Sequence, residues 1–370
     1  MSRRGENIYK RKDGRWEGRY VRNRRLDGSI HYGYVYARSY TELKLKLIPL
    51  KISNLPAHHT HSVERCTVQE WFTRWVKERK SRWKLSTLAT YEYKIQKYIL
   101  PEIGQLDLSE LSKTLVQNLV ITWEKKYELS AATISAVFQI LRKAVVAAYK
   151  NGHLAVDSCE EIILPKKKKK RIRALSQEEQ NKLEDSALKN PNGLPVLLAL
   201  CTGLRIGEIS ALSWNDIDLE NQSLYVQNTY QRIQNMKKEQ RTSLLMSDAK
   251  STASYRNVPL SETLTQLLQK EKLRRNGATF LFTCNNRPKE PRLINYHFKK
   301  IIQKAGLENI HFHQLRHTFA TRCMEANGDI ASISNLLGHS SVKTTMDVYV
   351  DSLDKQRRKI ISDMDQLVHC

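Results

Sequence analysis

The chain is expected to be mainly α-helical with small β elements, and three observations predict it. Near the N-terminus, aromatic and β-branched residues alternate with basic ones between Asp-Gly breaks, as in short antiparallel strands. From Thr67 to about Tyr149 apolar residues recur at helical spacing. Beyond a lysine-rich run after Pro165, helical patterns mix with strand-like ones. At 370 residues, 40% hydrophobic and 27% charged, the chain has the size of two to three domains and an ordinary globular composition.

The charge is not ordinary. Lys and Arg number 62 against 38 Asp and Glu, a formal net charge of +24 with a pI near 9.7. A field of that sign favours polyanions, and DNA or RNA is the usual reason; the rival reading is a merely basic protein, such as a ribosome-associated factor or a chaperone. Six cysteines (Cys66, Cys159, Cys201, Cys284, Cys323, Cys370) form no CxxC or other metal-ligand spacing and read as reduced thiols. Ser2-Arg3-Arg4-Gly5-Glu6 leads into no apolar run, and no stretch reads as long and apolar enough to span a bilayer. The expected setting is the cytoplasm, or a bacterial nucleoid, with no membrane partner.

Residues 1–60 carry 14 Lys/Arg against 5 Asp/Glu. Asn7–Lys10, Arg15–Val21 and His31–Tyr36 predict three antiparallel strands, broken at Asp13-Gly14 and Asp27-Gly28. Arginines are expected on one face of this sheet and aromatics on the other, a plausible groove reader. A helix is expected from Tyr40 to Ile48, stopped by Pro49. Residues 51–65 read as a linker; His58, His59 and His61 lack the Cys or carboxylate partners of a metal site.

Over 66–160 the spacing predicts a four-helix unit. Trp71, Phe72, Trp75 and Val76 share a face. Ser86 reads as an N-cap ahead of Leu88, Tyr91, Ile95 and Tyr98, with Pro101 as the stop. Ser109 opens a third helix through Leu115, Leu119 and Trp123, and Ser130 a fourth that ends at Asn151-Gly152. Basic residues such as Lys77, Arg79, Lys94, Arg142 and Lys143 read singly as solvated, and as a group suit phosphate contacts. Residues 161–173, with Lys166–Lys170, Arg171 and Arg173, read as a basic tether crossing a phosphate backbone, where counterion release makes binding salt-dependent.

Residues 174–370 read as a mixed α/β domain. Ser176-Gln177-Glu178-Glu179 starts a helix, Pro195 suits the first turn of a buried one, and Thr202–Glu208 is a turn into another. Leu224–Arg232 and Arg256–Leu260 read as strands. Thr263–Arg274, Ile294–Ala305, His313–Ala326, Ile330–Leu337 and Ser341–Tyr349 read as helices. Asp354–Val368 is a candidate amphipathic tail helix, packing on its own C-terminal domain or a neighbour's.

The last third places His, Arg, His and Tyr in order: His313, Arg316, His339, Tyr349. Arginine forks onto phosphate oxygens, histidine moves protons near neutral pH, and tyrosine can attack phosphorus. Arg205 follows a turn at a helix start, with Glu208 placed to fix its guanidinium; in isolation the two read as a surface ion pair. His311, His313 and His317 are a rival metal set, but no HExxH glutamate is present and Arg316 sits among them. His317 reads as a buried, hydrogen-bonded core histidine, and Met346 as core.

Three motifs, Thr202-Gly203-Leu204-Arg205-Ile206-Gly207-Glu208, His313-Gln314-Leu315-Arg316-His317-Thr318-Phe319-Ala320 and Leu337-Gly338-His339-Ser340-Ser341 through Thr344-Thr345-Met346-Asp347-Val348-Tyr349, resemble those of the tyrosine recombinase (phage integrase) family. The whole chain resembles the three-part integrases of temperate phages and integrative conjugative elements. The resemblance implies an arm-site DNA-binding domain over 1–60, a core-binding helical domain over 66–160 and a tyrosine-recombinase catalytic domain over 174–370. It assigns Arg205 and Arg316 to the phosphate clamp, Lys250 to protonation of the leaving 5′ oxygen and His313 to general acid/base work. His339 would orient the phosphate, Tyr349 attack it and Glu208 support Arg205. The family often has Thr-Lys at its lysine, where this chain has Ala249-Lys250. The implied chemistry is strand cleavage and rejoining through a 3′-phosphotyrosyl link, with no metal and no cofactor. The implied partners are double-stranded DNA at core and arm sites, a homotetramer passing through a Holliday junction, and excision or host bending factors. A non-catalytic DNA-binding regulator and a type IB topoisomerase-like enzyme are the alternatives. The full residue set argues against the first, and the separate basic sheet against the second.

Overall fold

The computed structural model describes residues 7–24, 30–53, 66–167, 173–235, 241–248, 255–275, 277–339, 341, 346, 361 and 364–365. Lys250, Tyr349, the His58–His61 stretch, the Asp27-Gly28 turn, most of the expected Ser341–Tyr349 helix and nearly all of the tail lie outside them.

The chain begins with an antiparallel sheet of β1 (Ile8–Lys10), β2 (Trp16–Arg24) and β3 (Ile30–Ala37), covered by α1 (Tyr40–Ser53). Leu43 and Leu47 of α1 are buried against the sheet. The packing is close: a Cβ at Gly18 would sit 2.9 Å from Leu47 Cδ2. The register pairs Glu17 with Tyr36 and Arg19 with Tyr34, so these residues occupy the face opposite Gly18 and α1. There the Arg19 guanidinium lies 4.1 Å from the Tyr32 ring, and Arg11 and Arg15 flank Tyr36. The expected segregation of arginines from aromatics is therefore wrong; cation–π stacking places both on one face. Nor does Pro49 stop α1, which continues to Ser53. Pro49 has no N–H to offer the Leu45 carbonyl, and Leu45 lies on the outer side of the helix, 71% exposed.

The helical bundle comprises α2 (Val68–Arg79), α3 (Leu85–Lys94), α4 (Leu100–Ile103), α5 (Lys113–Lys125) and α6 (Ala131–Lys150). A Thr67–Glu70 capping box starts α2. Two expected caps are displaced. α3 starts after Lys84, with Ser86 already inside it. Ser109 sits in a 3₁₀ turn capped by Asp107, leaving Ser112 to cap α5. Pro101 does not end a helix either. One π-helical turn, Ile95–Ile99, joins α3 to α4, and the Leu100 N–H reaches back to the Ile95 carbonyl. That local rewinding lets a residue without an N–H follow in the first turn of α4. Two indoles peg the bundle: Trp71 Nε1 donates to the Ala144 carbonyl (3.0 Å) and Trp123 Nε1 to the Tyr98 carbonyl (2.7 Å). Contrary to the sequence reading, the 20-residue α6 is long and apolar enough to cross a bilayer. Its apolar side, including Ile134, Val137, Phe138, Leu141 and Val145, forms the centre of the bundle core.

The C-terminal part opens with α7 (Gln177–Leu188), α8 (Leu194–Thr202) and α9 (Ile206–Ala211). A small antiparallel sheet follows in the order β4 (Ile217–Asp218), β5 (Ser223–Val226), β8 (Arg256–Pro259). A separate two-stranded ribbon pairs β6 (Asn228–Gln234) with β7 (Thr242–Asp248). The single strand expected over Leu224–Arg232 is thus two strands in two sheets. The break is at Gln227, whose amide donates to Asp216 Oδ1 (2.5 Å). Then come α10 (Glu262–Arg274), the hairpin of β9 (Thr283–Cys284) and β10 (Arg287–Pro288), α11 (Pro291–Lys304), α12 (Phe312–Glu325) and α13 (Ile330–Leu337). α8 is buried nearly all round, and α12 packs along it. α12 also holds the entering chain: Thr318 Oγ1 accepts from the Leu175 N–H, and Arg322 donates to the Leu175 carbonyl.

Replacing Trp123 by Ala removes a fully buried side chain and its hydrogen bond, and should cost about 3–5 kcal/mol. Urea unfolding of the full chain, followed by circular dichroism, checks this; a loss no larger than that of a surface substitution contradicts the packing described.

Candidate functional site

The site forms where the ends of α8, α9 and α13 meet the start of β8 and the first turns of α12. α8 ends in Gly203 at φ +65, a left-handed cap that suits glycine. A Cβ there would lie 2.5 Å from Phe319 Cδ1 and 2.8 Å from Leu337 Cδ2, so α8, α12 and α13 close tightly around it. The turn delivers Arg205 to the N-cap of α9. Glu208 reaches back to accept from the Arg205 N–H (2.9 Å) and from Arg205 Nη1 (2.7 Å). Glu208 is buried, so this is not the surface pair that the two residues suggest in isolation.

A second arginine holds the same carboxylate. Arg256, 7% exposed at the start of β8, donates through Nη2 to Glu208 Oε2 (2.9 Å) and through Nη1 to Oε1 (3.4 Å). Burial works against the Glu208 charge, but Arg256 and then Arg205 outweigh it and hold the carboxyl below its usual range. The sequence reading passed over Arg256. The signal was present: in β8 it falls in phase with Val258 and Leu260, and all three are buried.

α13 supplies the complementary charge. It ends in Gly338 at φ +63, leaving its last carbonyls without helical partners. Arg256 Nε donates to the Leu336 carbonyl (2.7 Å), Arg316 Nη2 to that of Leu337 (2.5 Å) and Arg205 Nη2 to that of Gly338 (3.4 Å). Three guanidiniums therefore gather on three successive carbonyls at the negative end of a helix. Arg316, 3% exposed on α12, also donates to the Gly203 carbonyl (2.8 Å).

The histidines surround this cluster. His339 follows Gly338, its N–H bonded to the Ser334 carbonyl (3.1 Å). Desolvation, then the charges of Arg316 and Arg205, lower its imidazole to about 4. His313 and His317, on successive turns of α12, meet edge to face with centroids 4.9 Å apart. His317 is lowered to about 4, by desolvation first and His313 next. His313 lies below the usual histidine range through desolvation and the charges of Arg316 and Arg205. His317 is only half-buried, not the core histidine expected, because its side of α12 looks onto His313 at the rim. Among the described residues no group of three His, Cys, Asp or Glu side chains is placed to hold a metal ion. Met346, expected in the core, is 52% exposed.

Of the residues singled out from sequence, Arg205, Glu208, His313, Arg316 and His339 come together here. Lys250 and Tyr349 lie outside the described residues; β7 ends at Asp248, just short of Lys250. Chemically the site offers guanidiniums for an anion and neutral imidazoles able to accept protons.

Comparison with known proteins finds relatives over most of the chain. The Phage integrase family model matches residues 162–356, and that of the phage integrase N-terminal SAM-like domain matches 67–123. A tyrosine recombinase XerC-like protein of Caldanaerobacter subterraneus subsp. tengcongensis is 27% identical over 311 residues, covering 77% of this chain and 78% of that one. The Tn1549 transposon integrase, solved with a circular intermediate DNA, superposes with a TM-score of 0.68 at 18% identity, over 80% of this chain and 99% of that one. Lambda integrase, solved as a tetramer on a Holliday junction, gives 0.57 at 21% identity, over 91% and 96%. The first family match alone spans more than half of the 370 residues, and the chain belongs to the phage integrase family, as a site-specific DNA recombinase of the tyrosine type.

Proposed function

We propose that the arginine–histidine cluster binds the scissile phosphate of an attachment site, and that the chain integrates and excises a mobile element by strand cleavage and rejoining. The observation that carries this is the meeting of Arg205, Arg316 and His339 at the end of α13. In this reading Arg205 and Arg316 fork onto the non-bridging oxygens, exchanging helix carbonyls for phosphate. Tyr349 attacks phosphorus and becomes a 3′-phosphotyrosyl ester. The leaving 5′ oxygen takes a proton from Lys250 and departs as a hydroxyl. His313 moves the proton of the nucleophile and His339 donates a hydrogen bond to the phosphate. Reversal by a 5′-hydroxyl of another strand rejoins the DNA. Preorganised positive charge meets the charge developing on the phosphorane.

The division of labour proposed is arm-site binding by residues 1–60, core-site binding by 66–160, a basic tether at 161–173, and catalysis by 174–370. The shared arginine–tyrosine face of the N-terminal sheet supports the first assignment. A homotetramer on a Holliday junction is the assembly proposed, by analogy with lambda integrase. Excision or host bending factors, and a place on the bacterial nucleoid, complete the reading.

A nicked suicide duplex carrying the element's junction, incubated in EDTA, should give a covalent protein–DNA adduct with the wild type. Tyr349→Phe should give none, and Arg205→Ala should slow adduct formation by about 10²- to 10³-fold. An adduct surviving Tyr349→Phe would mean another nucleophile.

In the DNA-free chain the His317 and His339 rings should stay neutral from pH 7 to 5 and titrate only around 4. An unfolded chain takes up these protons near pH 6.5. The folded pKa lies below the unfolded one, so stability should fall as pH drops from about 6.5 to about 4. NMR titration of the ring protons reads this directly; midpoints near 6.5 would refute the environment described. Removing residues 1–60 should spare core-site binding and weaken binding to flanking repeats in gel-shift assays; unchanged repeat binding would remove the arm-site assignment.

A further inference from the structure

We propose that Arg256 is a positioning residue of the recombination centre, holding Glu208 and the end of α13 together so that Arg205 and His339 face one phosphate. The inference deepens the recombinase reading and rests on it.

Arg256 sits where β8, α9 and α13 converge. Its Nε donates to the Leu336 carbonyl and its two Nη atoms donate to the Glu208 carboxylate. Each partner leads to a side chain of the site: Glu208 grips Arg205, and Leu336 precedes the turn that presents His339. Each Glu208 oxygen accepts one hydrogen bond from Arg205 and one from Arg256. The two arginines differ in access: the Arg205 side chain is 38% exposed and that of Arg256 only 5%. Two cations share one carboxylate, and the accessible cation is Arg205. Without Arg256 the buried carboxylate keeps Arg205 alone, draws it inward and cancels its charge. The Leu336 carbonyl loses a donor in the same step, loosening the turn before His339.

Stability alone is a poor reason for such a residue. A buried ion pair is often replaceable by apolar side chains of similar volume at no loss. A planar fork that bridges a carboxylate and a carbonyl from two other elements specifies geometry, which lysine does not reproduce.

The test uses the full chain and the suicide duplex, reading adduct rate, core-site affinity by gel shift, and cooperative melting. The variants are Arg256→Gln, Arg256→Lys, Glu208→Gln and the double Arg256→Gln/Glu208→Gln. Arg256→Gln and Arg256→Lys should each react about 10- to 100-fold more slowly than wild type with core-site affinity retained. The double variant should recover part of the Arg256→Gln loss, since removing the carboxylate's charge frees Arg205. Wild-type rates in both single Arg256 variants, or a double variant that loses the full product of the two single losses, would overturn the proposal. If Arg256→Gln does not melt cooperatively, the charge-preserving Arg256→Lys decides. A wild type that forms no adduct would instead overturn the recombinase reading beneath it.

Discussion

The C-terminal part depends on the unfinished end of one short helix. The last carbonyls of α13 have no amides ahead of them, and Arg256, Arg316 and Arg205 take those of Leu336, Leu337 and Gly338. Concentrating cations where two of the three are buried is costly, because like charges repel and each loses hydration. The helix end offsets that cost with aligned partial negative charge, and Glu208 adds a full one. The arginines come from three different elements, so the cluster also ties α9, β8 and α12 to α13.

The surrounding fold serves that junction. α8, apolar nearly all round, sets the floor, and Gly203 at its end lets α12 and α13 close over it. α12 carries Arg316 inward, while Thr318 and Arg322 lock the same helix onto the chain entering at Leu175. The ribbon of β6 and β7 packs on α9, where a Cβ at Gly207 would lie 2.7 Å from Thr229 Oγ1. It is fastened a second time by Arg232, which forks onto Glu290 at the start of α11 with bonds of 2.6 and 2.8 Å.

Much of this was legible in the sequence where the governing physics is local. Thr202–Glu208 and His313–Ala320 each make their geometry within a turn or two of helix, so a short motif contains it. What was not legible is long-range or turns on competition between neighbours. The Arg256–Glu208 pair spans 48 positions, and nothing near Arg256 announces its partner. Ser109 and Ser112 both look like caps; Asp107 decides between them by capturing Ser109. Pro49 and Pro101 read as helix stops because the rule concerns a missing donor. The fold answers with an exposed helix face in one place and a π-helical turn in the other.

Gly203 carries an implication for how variants of this protein are interpreted. Its carbonyl is a seat for Arg316, yet its missing side chain is what admits Phe319 and Leu337. A single methyl at this position would lever α13 off its arginines without touching DNA. In a genetic map of inactive alleles, Gly203 would score alongside the arginines themselves. The boundary between scaffold and arginine cluster therefore runs through a residue with no functional group at all.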